Sequence, residues 1–94
     1  MKRRYTVEGV VQGVGFRWFV RRHATRLGLT GWVRNMDDGA VEAEAIGGAD
    51  RLAEFEAELR RGPAHASVTN LRVVDVPDEV PSPMKGDSDV SNLA

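Results

Sequence analysis

The fold of this 94-residue chain is decided by the stretch YTVEGVVQGVGFRWFVRRHATRLG, residues 5–28. Up to Val11, apolar and polar side chains alternate with the period of two that is typical of a half-buried strand. From Phe16 the apolar residues recur at helical spacing, on a face shared by Phe16, Phe19, Val20, Ala24 and Leu27. Gly28 then supplies a helix stop. The stretch therefore predicts a strand, a glycine-rich turn and an amphipathic helix in direct succession.

The turn between strand and helix, QGVG at residues 12–15, has the features of an anion-binding loop. Glycine allows backbone N–H groups to converge without clashes of a Cβ atom. The start of a helix adds N–H donors and a partial positive charge, and Arg17 adds a guanidinium in its first turn. We therefore expect a phosphate-like group to bind here.

Three further strands and a second helix are predicted beyond this unit. The strands are expected at residues 29–35, 41–45 and 67–76. The strand at residues 41–45 is expected to be half exposed, because Glu42 and Glu44 alternate with its apolar residues. The helix begins near Asp50 and ends at Gly62-Pro63. The resulting order, βαββαβ, favours a ferredoxin-like α/β (α+β) sandwich, with two helices on one face of a mainly antiparallel sheet.

We assign residues 1–76 to this domain and residues 77–94 to a polar tail rich in proline, serine and aspartate. The tail has no apolar period, so we expect it to be flexible and to add nothing to the core. In particular, residues 79–94 contain no apolar run of the kind that would cover an edge of the sheet, and an edge strand would be left exposed.

Composition excludes several classes of site. The absence of cysteine rules out disulfides, thiolate zinc sites and a cysteine nucleophile, and it fits a cytoplasmic protein. No apolar run is long enough to span a membrane. Two well-separated histidines without an H-E-x-x-H motif make a protein-held metal unexpected, and the glycines complete neither a dinucleotide-binding fingerprint nor a Walker P-loop.

Charge is distributed less evenly than the net charge of −1 indicates. That net value argues against bulk electrostatic binding to nucleic acid or a membrane. However, no acidic residue occurs between Glu8 and Asp37, whereas five arginines lie in that interval. The positive field therefore belongs to the first third of the chain, where the glycine turn lies, although arginines on an amphipathic helix are also simply its solvated face.

Asn35 is expected to return to the same place as the glycine turn. A strand–helix–strand unit crosses over in a right-handed sense, so its two strands run parallel and end at one edge of the sheet. Asn35 ends the second strand, and its amide can hold a water molecule or a ligand oxygen. On spacing alone, a role as a turn residue before Asp37-Asp38-Gly39 is equally compatible.

Two segments carry a family resemblance: VEGVVQGVGFR at residues 7–17 and GWVRN at residues 31–35, followed by Gly39, Val41 and Gly47. They resemble the two signatures of the acylphosphatase family, over residues 4–76. The resemblance implies metal-free hydrolysis of the carboxyl–phosphate bond of an acyl phosphate, without a cofactor, by a monomeric enzyme. It implies that Arg17 and the backbone amides of residues 12–16 hold the phosphate (Gln12, Gly13, Val14, Gly15 and Phe16). Asn35 would orient the attacking water, and inorganic phosphate or sulfate could occupy the same site.

Two alternatives belong to other classes of function. Ferredoxin-like sheets also form RNA-binding modules, and Trp18, Phe19 and Trp32 could stack on bases. The central strands nevertheless lack the basic–aromatic pattern of such modules, and Glu42 and Glu44 would repel phosphate. The other alternative is an acylphosphatase-like regulatory or carbamoyl-phosphate-handling domain of a larger protein. The sequence contains no further domain of that kind, so we expect a free-standing enzyme.

Overall fold

The computed structural model describes residues 1–77 and 91–92 of the chain. The elements in this part are β1 (Lys2–Val10), α1 (Phe16–Arg26), β2 (Thr30–Asn35), β3 (Val41–Ile46), α2 (Ala49–Arg61), β4 (Ser67–Asp75) and β5 (Ser91–Asn92). The strands form one sheet in the order β4-β1-β3-β2-β5, and the neighbouring strands are antiparallel. The predicted βαββαβ order and ferredoxin-like fold are confirmed.

The core lies between the two helices and one face of the sheet. Both helices contribute an apolar stripe at the spacing that the sequence predicts, because residues three and four apart share a helix face. Tyr5 of β1 meets Phe55 of α2 edge to face, with ring centroids 5.5 Å apart. The cluster of buried side chains includes Val7, Phe16, Val20, Val33, Ala43, Leu52 and Leu59.

The predicted crossover is also present. β1 and β2 each pair antiparallel with β3, which lies between them. The two outer strands of this trio therefore run parallel, and their carboxyl ends lie at the same edge of the sheet. This edge holds both the glycine turn that follows β1 and Asn35 at the end of β2.

The expectation that residues 79–94 leave the edge of the sheet uncovered is wrong at two positions. Ser91 and Asn92 form β5, which pairs with Val33 and Trp32 at the free edge of β2. Pairing of this kind uses backbone N–H and C=O groups, so a polar sequence without apolar period can supply it. The expectation of a flexible tail otherwise concerns residues 78–90 and 93–94, which lie outside the described residues.

The predicted exposure of Glu44 is also wrong. The sequence predicts a half-exposed carboxylate, but Glu44 is fully buried. Its Oε2 lies 2.7 Å from Nη2 of Arg4 and its Oε1 lies 3.4 Å from Nζ of Lys2. The Arg4 guanidinium is also 5.8 Å from the ring of Trp32, which is itself buried. A period of two indicates which face of the sheet a side chain occupies, but not whether long neighbours cover that face.

Candidate active site

The glycine turn takes a backbone path that side-chain-bearing residues rarely adopt. Gly13 and Gly15 have φ angles of 74° and 77°, and Gly15 is the left-handed N-cap of α1. A Cβ atom added at either glycine would meet no atom within 4 Å. The requirement for glycine here is therefore conformational, because the left-handed region costs other residues about 1–2 kcal/mol.

The start of α1 faces the same turn with its helix amides. The N–H group of Phe19 donates to the carbonyl of Gly15 at 3.0 Å, which makes it the first intrahelical bond. The N–H groups before it have no carbonyl one turn earlier in the helix, and no side-chain cap is found among the described residues. The first turn also contains no acidic side chain, so the positive end of the helix dipole is available to an anion.

A cavity of about 250 Å³ joins this turn to the end of β2. Its lining residues are Val11, Gly13, Gly15, Phe16, Arg17, Trp18 and Asn35. The structure thus brings together Gly13, Gly15, Phe16 and Arg17 with Asn35, eighteen positions further along the chain. The right-handed crossover of the strand–helix–strand unit predicts this meeting of two distant segments.

Gln12 and Val14, which the sequence also assigns to the phosphate loop, do not line this cavity. Val14 packs against the hydrophobic core as a partly buried side chain. The Gln12 side chain reaches across to the β2–β3 turn, where its Nε2 donates to the carbonyl of Met36 at 2.7 Å and to that of Ala40 at 2.9 Å. Gln12 therefore ties the glycine turn to the segment that directly follows Asn35.

The β2–β3 turn itself is held by local hydrogen bonds. The N–H of Met36 donates to the Ala40 carbonyl at 2.8 Å, and the N–H of Gly39 donates to the Met36 carbonyl at 3.2 Å. The Asp38 carboxylate accepts a bond from the N–H of Ala40 at 3.0 Å. The Asp38-Gly39 signal thus does form a hairpin turn, while Asn35 lies before it, in β2 and on the wall of the cavity.

Val11 and Trp18 line the cavity but were not assigned to the site from the sequence. Val11 is buried in the core, whereas Trp18 is exposed. It lies outside the apolar stripe of α1, and its side chain is 64% exposed. The other two aromatic residues considered for base stacking, Phe19 and Trp32, are only 5% and 2% exposed. They cannot offer a stacking face, which weighs against the RNA-binding alternative. The signal that could have identified Trp18 is a large aromatic residue one position after Arg17 and off the buried face.

His23 lies away from the cavity, between α1 and α2. Its ring packs against Phe19 with centroids 4.5 Å apart, and its Nδ1 lies 3.3 Å from Oε2 of Glu58 and 3.2 Å from Nη2 of Arg26. Since Nη2 of Arg26 also reaches Glu58 at 3.4 Å, a neutral imidazole with Nδ1 as acceptor satisfies this arrangement. These contacts agree with a packing role.

Burial lowers the pKa of His23 from its ordinary value of 6.5. Glu58 favours the protonated ring, but Arg26, Arg61 and Arg22 all oppose it. The unfolded chain therefore takes up a proton near pH 6.5, before the folded protein does. The stability that His23 contributes is complete above pH 6.5 and is lost as the pH falls from there through the lower folded-state pKa.

No group of three or more His, Cys, Asp or Glu side chains in the part of the chain that the structure describes is arranged to hold a metal ion. No helix there has the length and apolar character needed to cross a membrane.

Comparisons with known proteins identify the family. The acylphosphatase family model matches residues 3–84. The acylphosphatase of Koribacter versatilis (strain Ellin345) is 52% identical over 77 residues, which are 82% of this chain and 70% of that protein. The crystal structure of acylphosphatase from Bacillus subtilis matches with a TM-score of 0.77 and 42% identity, over 78% of this chain and 81% of that one. Full-length HypF, solved in a phosphate- and nucleotide-bound form, matches with a TM-score of 0.73 and 31% identity, over 84% of this chain and 10% of that one. The predicted resemblance is confirmed: the chain belongs to the acylphosphatase family, whose members are hydrolases that act on acyl phosphates.

Proposed function

We propose that the cavity between the glycine turn and β2 hydrolyses the carboxyl–phosphate bond of an acyl phosphate. The observation that carries this proposal is the joint lining of one cavity by Gly13, Gly15, Arg17 and Asn35. The first three supply a positively charged end for the phosphate, and Asn35 supplies an amide from the end of β2. Backbone amides of residues 12–16 complete the set of donors for the phosphate oxygens.

The chemistry requires little beyond these groups. The oxygen of a water molecule, oriented by the Asn35 amide, attacks phosphorus, and the bond between phosphorus and the acyl oxygen breaks. The carboxylate leaves with the bonding electron pair and needs no proton from the protein. The proton of the attacking water passes to a phosphate oxygen. Positioning and fixed hydrogen-bond donors therefore account for the catalysis.

Arg17 is the group whose loss should matter most. Its planar guanidinium is a cation that can bind two phosphate oxygens at once. Removal of one such donor typically raises the barrier by about 2.7–4 kcal/mol, or about 10²–10³ in kcat. We expect Arg17→Ala to lose at least this much, and Arg17→Lys to recover only part of it because the fork is lost.

The test is steady-state hydrolysis of acetyl phosphate by the wild type, Arg17→Ala, Arg17→Lys and Asn35→Ala, with a chelator present. Val74→Ala is the matched control, since Val74 lies on edge strand β4 and is 60% exposed. Reaction in H₂¹⁸O locates the bond that breaks, because attack at phosphorus places the label in the released phosphate. An inactive wild type, label in the acetate, or an Asn35→Ala variant as fast as the wild type would each contradict the proposal.

We further propose that the enzyme works as a cytoplasmic monomer without metal or cofactor. The family members that match over most of their own length support a free-standing enzyme, whereas the similarity to HypF covers only a tenth of that chain. Turnover by the isolated chain, with the elution volume of a monomer and no response to chelators, is the expected result. A domain that acts only within a larger protein would bind phosphate without hydrolysing acetyl phosphate.

A further inference from the structure

The cavity opens beside an exposed aromatic side chain that the phosphate chemistry does not use. Trp18 is 64% exposed and lines the cavity, although it lies next to Arg17 in the first turn of α1. Single exposed apolar side chains are common on protein surfaces and carry no meaning by themselves. Trp18 differs because its exposed surface borders the proposed catalytic cavity.

Arg22 holds the indole from the next turn of the helix. The two residues are four positions apart, the spacing at which helical side chains meet. The Arg22 guanidinium carbon lies 5.3 Å from the Trp18 ring centroid, within the range of a cation–π contact. A cation over one face of the ring restricts its rotamers and leaves the opposite face to other partners.

The remaining apolar lining of the cavity is not accessible in the same way. Val11 and Phe16 are each only 1% exposed, because their side chains belong to the core. The cavity of about 250 Å³ is also smaller than the roughly 300–1,000 Å³ of clefts that enclose drug-sized ligands. A substrate whose phosphate is bound by the glycine turn and Arg17 therefore projects its acyl group towards the opening, where Trp18 is the large apolar surface.

We infer that Trp18, held by Arg22, forms an acyl-group subsite that favours aromatic acyl phosphates over small aliphatic ones. This inference rests on the proposed function, because it names the substrate class that the same cavity prefers. A planar, delocalised acyl group stacks on the open face of the indole, whereas an acetyl group is too small to cover it. The positive charges of Arg17 and Arg22 also attract the partly negative oxygen of the acyl carbonyl.

The test compares benzoyl phosphate with acetyl phosphate in the wild type, Trp18→Ala and Trp18→Phe. The measured quantity is the ratio of kcat/KM for benzoyl phosphate to kcat/KM for acetyl phosphate. The substrates differ in intrinsic reactivity, but this difference is the same for every variant and cancels when the ratios of two variants are compared. We expect Trp18→Ala to lower this ratio about three- to tenfold, the effect of one lost aromatic contact. Trp18→Phe should retain most of the wild-type ratio, since a phenyl ring can still stack.

A binding measurement separates the subsite from effects on turnover. Phenacylphosphonate and acetonylphosphonate are non-hydrolysable analogues of benzoyl and acetyl phosphate, and their competitive inhibition constants give the same preference without chemistry. Trp18→Ala should weaken the binding of phenacylphosphonate more than that of acetonylphosphonate. The ratio of the two inhibition constants should change by the same factor as the ratio of the kcat/KM values. Val74→Ala, which also removes an exposed apolar side chain but lies on β4, should leave the ratio of inhibition constants unchanged.

The possible failures are distinguishable. A wild type that hydrolyses neither substrate overturns the proposed function and this subsite with it. A wild type that is active on both, with a Trp18→Ala variant that keeps the wild-type ratio, overturns the subsite alone. An equal loss on both substrates that Trp18→Phe does not rescue would assign Trp18 a structural role in α1 and would likewise overturn it.

Discussion

Gln12 should prove to be a positioning residue for the site, and Gln12→Leu is the substitution that tests this. The half-buried amide donates to the carbonyls of Met36 and Ala40 at 2.7 and 2.9 Å. Each of these carbonyls also accepts a backbone bond, from Gly39 and Met36 respectively, so neither is orphaned when Gln12 is replaced. The loss is therefore that of two ordinary hydrogen bonds at about 0.5–1.5 kcal/mol each, or about 1–3 kcal/mol of unfolding free energy.

The effect on catalysis should exceed what this loss of stability explains. Gln12 joins the turn that we propose to hold the phosphate to the segment after Asn35. Its removal should therefore allow the phosphate and the attacking water to move apart. A displacement of about 1 Å between reacting groups can cost about 100-fold in rate. We expect kcat of Gln12→Leu to fall about 10- to 100-fold with little change in KM, because the loop amides and Arg17 still bind phosphate.

The assay combines urea denaturation with steady-state kinetics on acetyl phosphate. Asn70→Leu is the matched control, because it removes an amide that donates to Glu8 at 3.1 Å on the exposed surface of β1 and β4. That variant should lose less than about 1 kcal/mol and keep the wild-type kcat. If Gln12→Leu unfolds at the wild-type urea concentration, or loses stability without losing kcat, the reasoning about Gln12 is refuted.

Three further predictions concern the turn, the helices and the sheet. Gly15→Ala should lower the free energy of unfolding by about 1 kcal/mol, and Tm by about 4–8 °C, because alanine must adopt the left-handed conformation of the N-cap. No steric clash adds to this cost, since a Cβ atom at this position meets no other atom within 4 Å. An unchanged Tm in calorimetry would contradict this explanation. His23→Gln should flatten the fall in stability that the wild type shows as the pH drops below 6.5, and equal pH profiles of urea midpoints would exclude His23 as its source. Glu44→Gln should destabilise the fold by about 3–5 kcal/mol, since it leaves the buried charge of Lys2 next to a neutral amide and removes the carboxylate partner of the partly exposed Arg4; a loss below about 1 kcal/mol would mean that the ion pairs contribute little.

Sequence periodicity was sufficient for the fold because the relevant signals are local. The shift from period two to period 3.6 at Phe16 marks the boundary of a strand and a helix, and the crossover rule then places Asn35 beside the glycine turn without any knowledge of side-chain contacts. These steps use backbone geometry alone. They predicted five of the residues that line the cavity, together with their origin in two separate segments.

Two of the details that the sequence did not reveal depend on where long or polar side chains go, and a third depends on backbone pairing. The same pattern that placed Gln12 in the loop could not show that its amide crosses to the β2–β3 turn. The alternation that placed Glu44 on the outer face could not show that Lys2 and Arg4 approach it there. For β5, pairing with β2 is made by backbone groups, which have no side-chain pattern to read.

The division between backbone and side chain also explains how this site could change its substrate without changing its fold. The proposed phosphate end depends on the backbone paths of Gly13 and Gly15 and on the start of α1, which the core fixes through Phe16 and its neighbours. The proposed acyl subsite depends on Trp18, whose exposed side chain lies outside the buried cluster. Surface substitutions away from buried groups usually change stability by less than about 0.5 kcal/mol. Position 18 can therefore be exchanged at little cost to the fold, and a set of variants there should alter the preference between acyl groups while Tm and phosphate inhibition stay near the wild-type values.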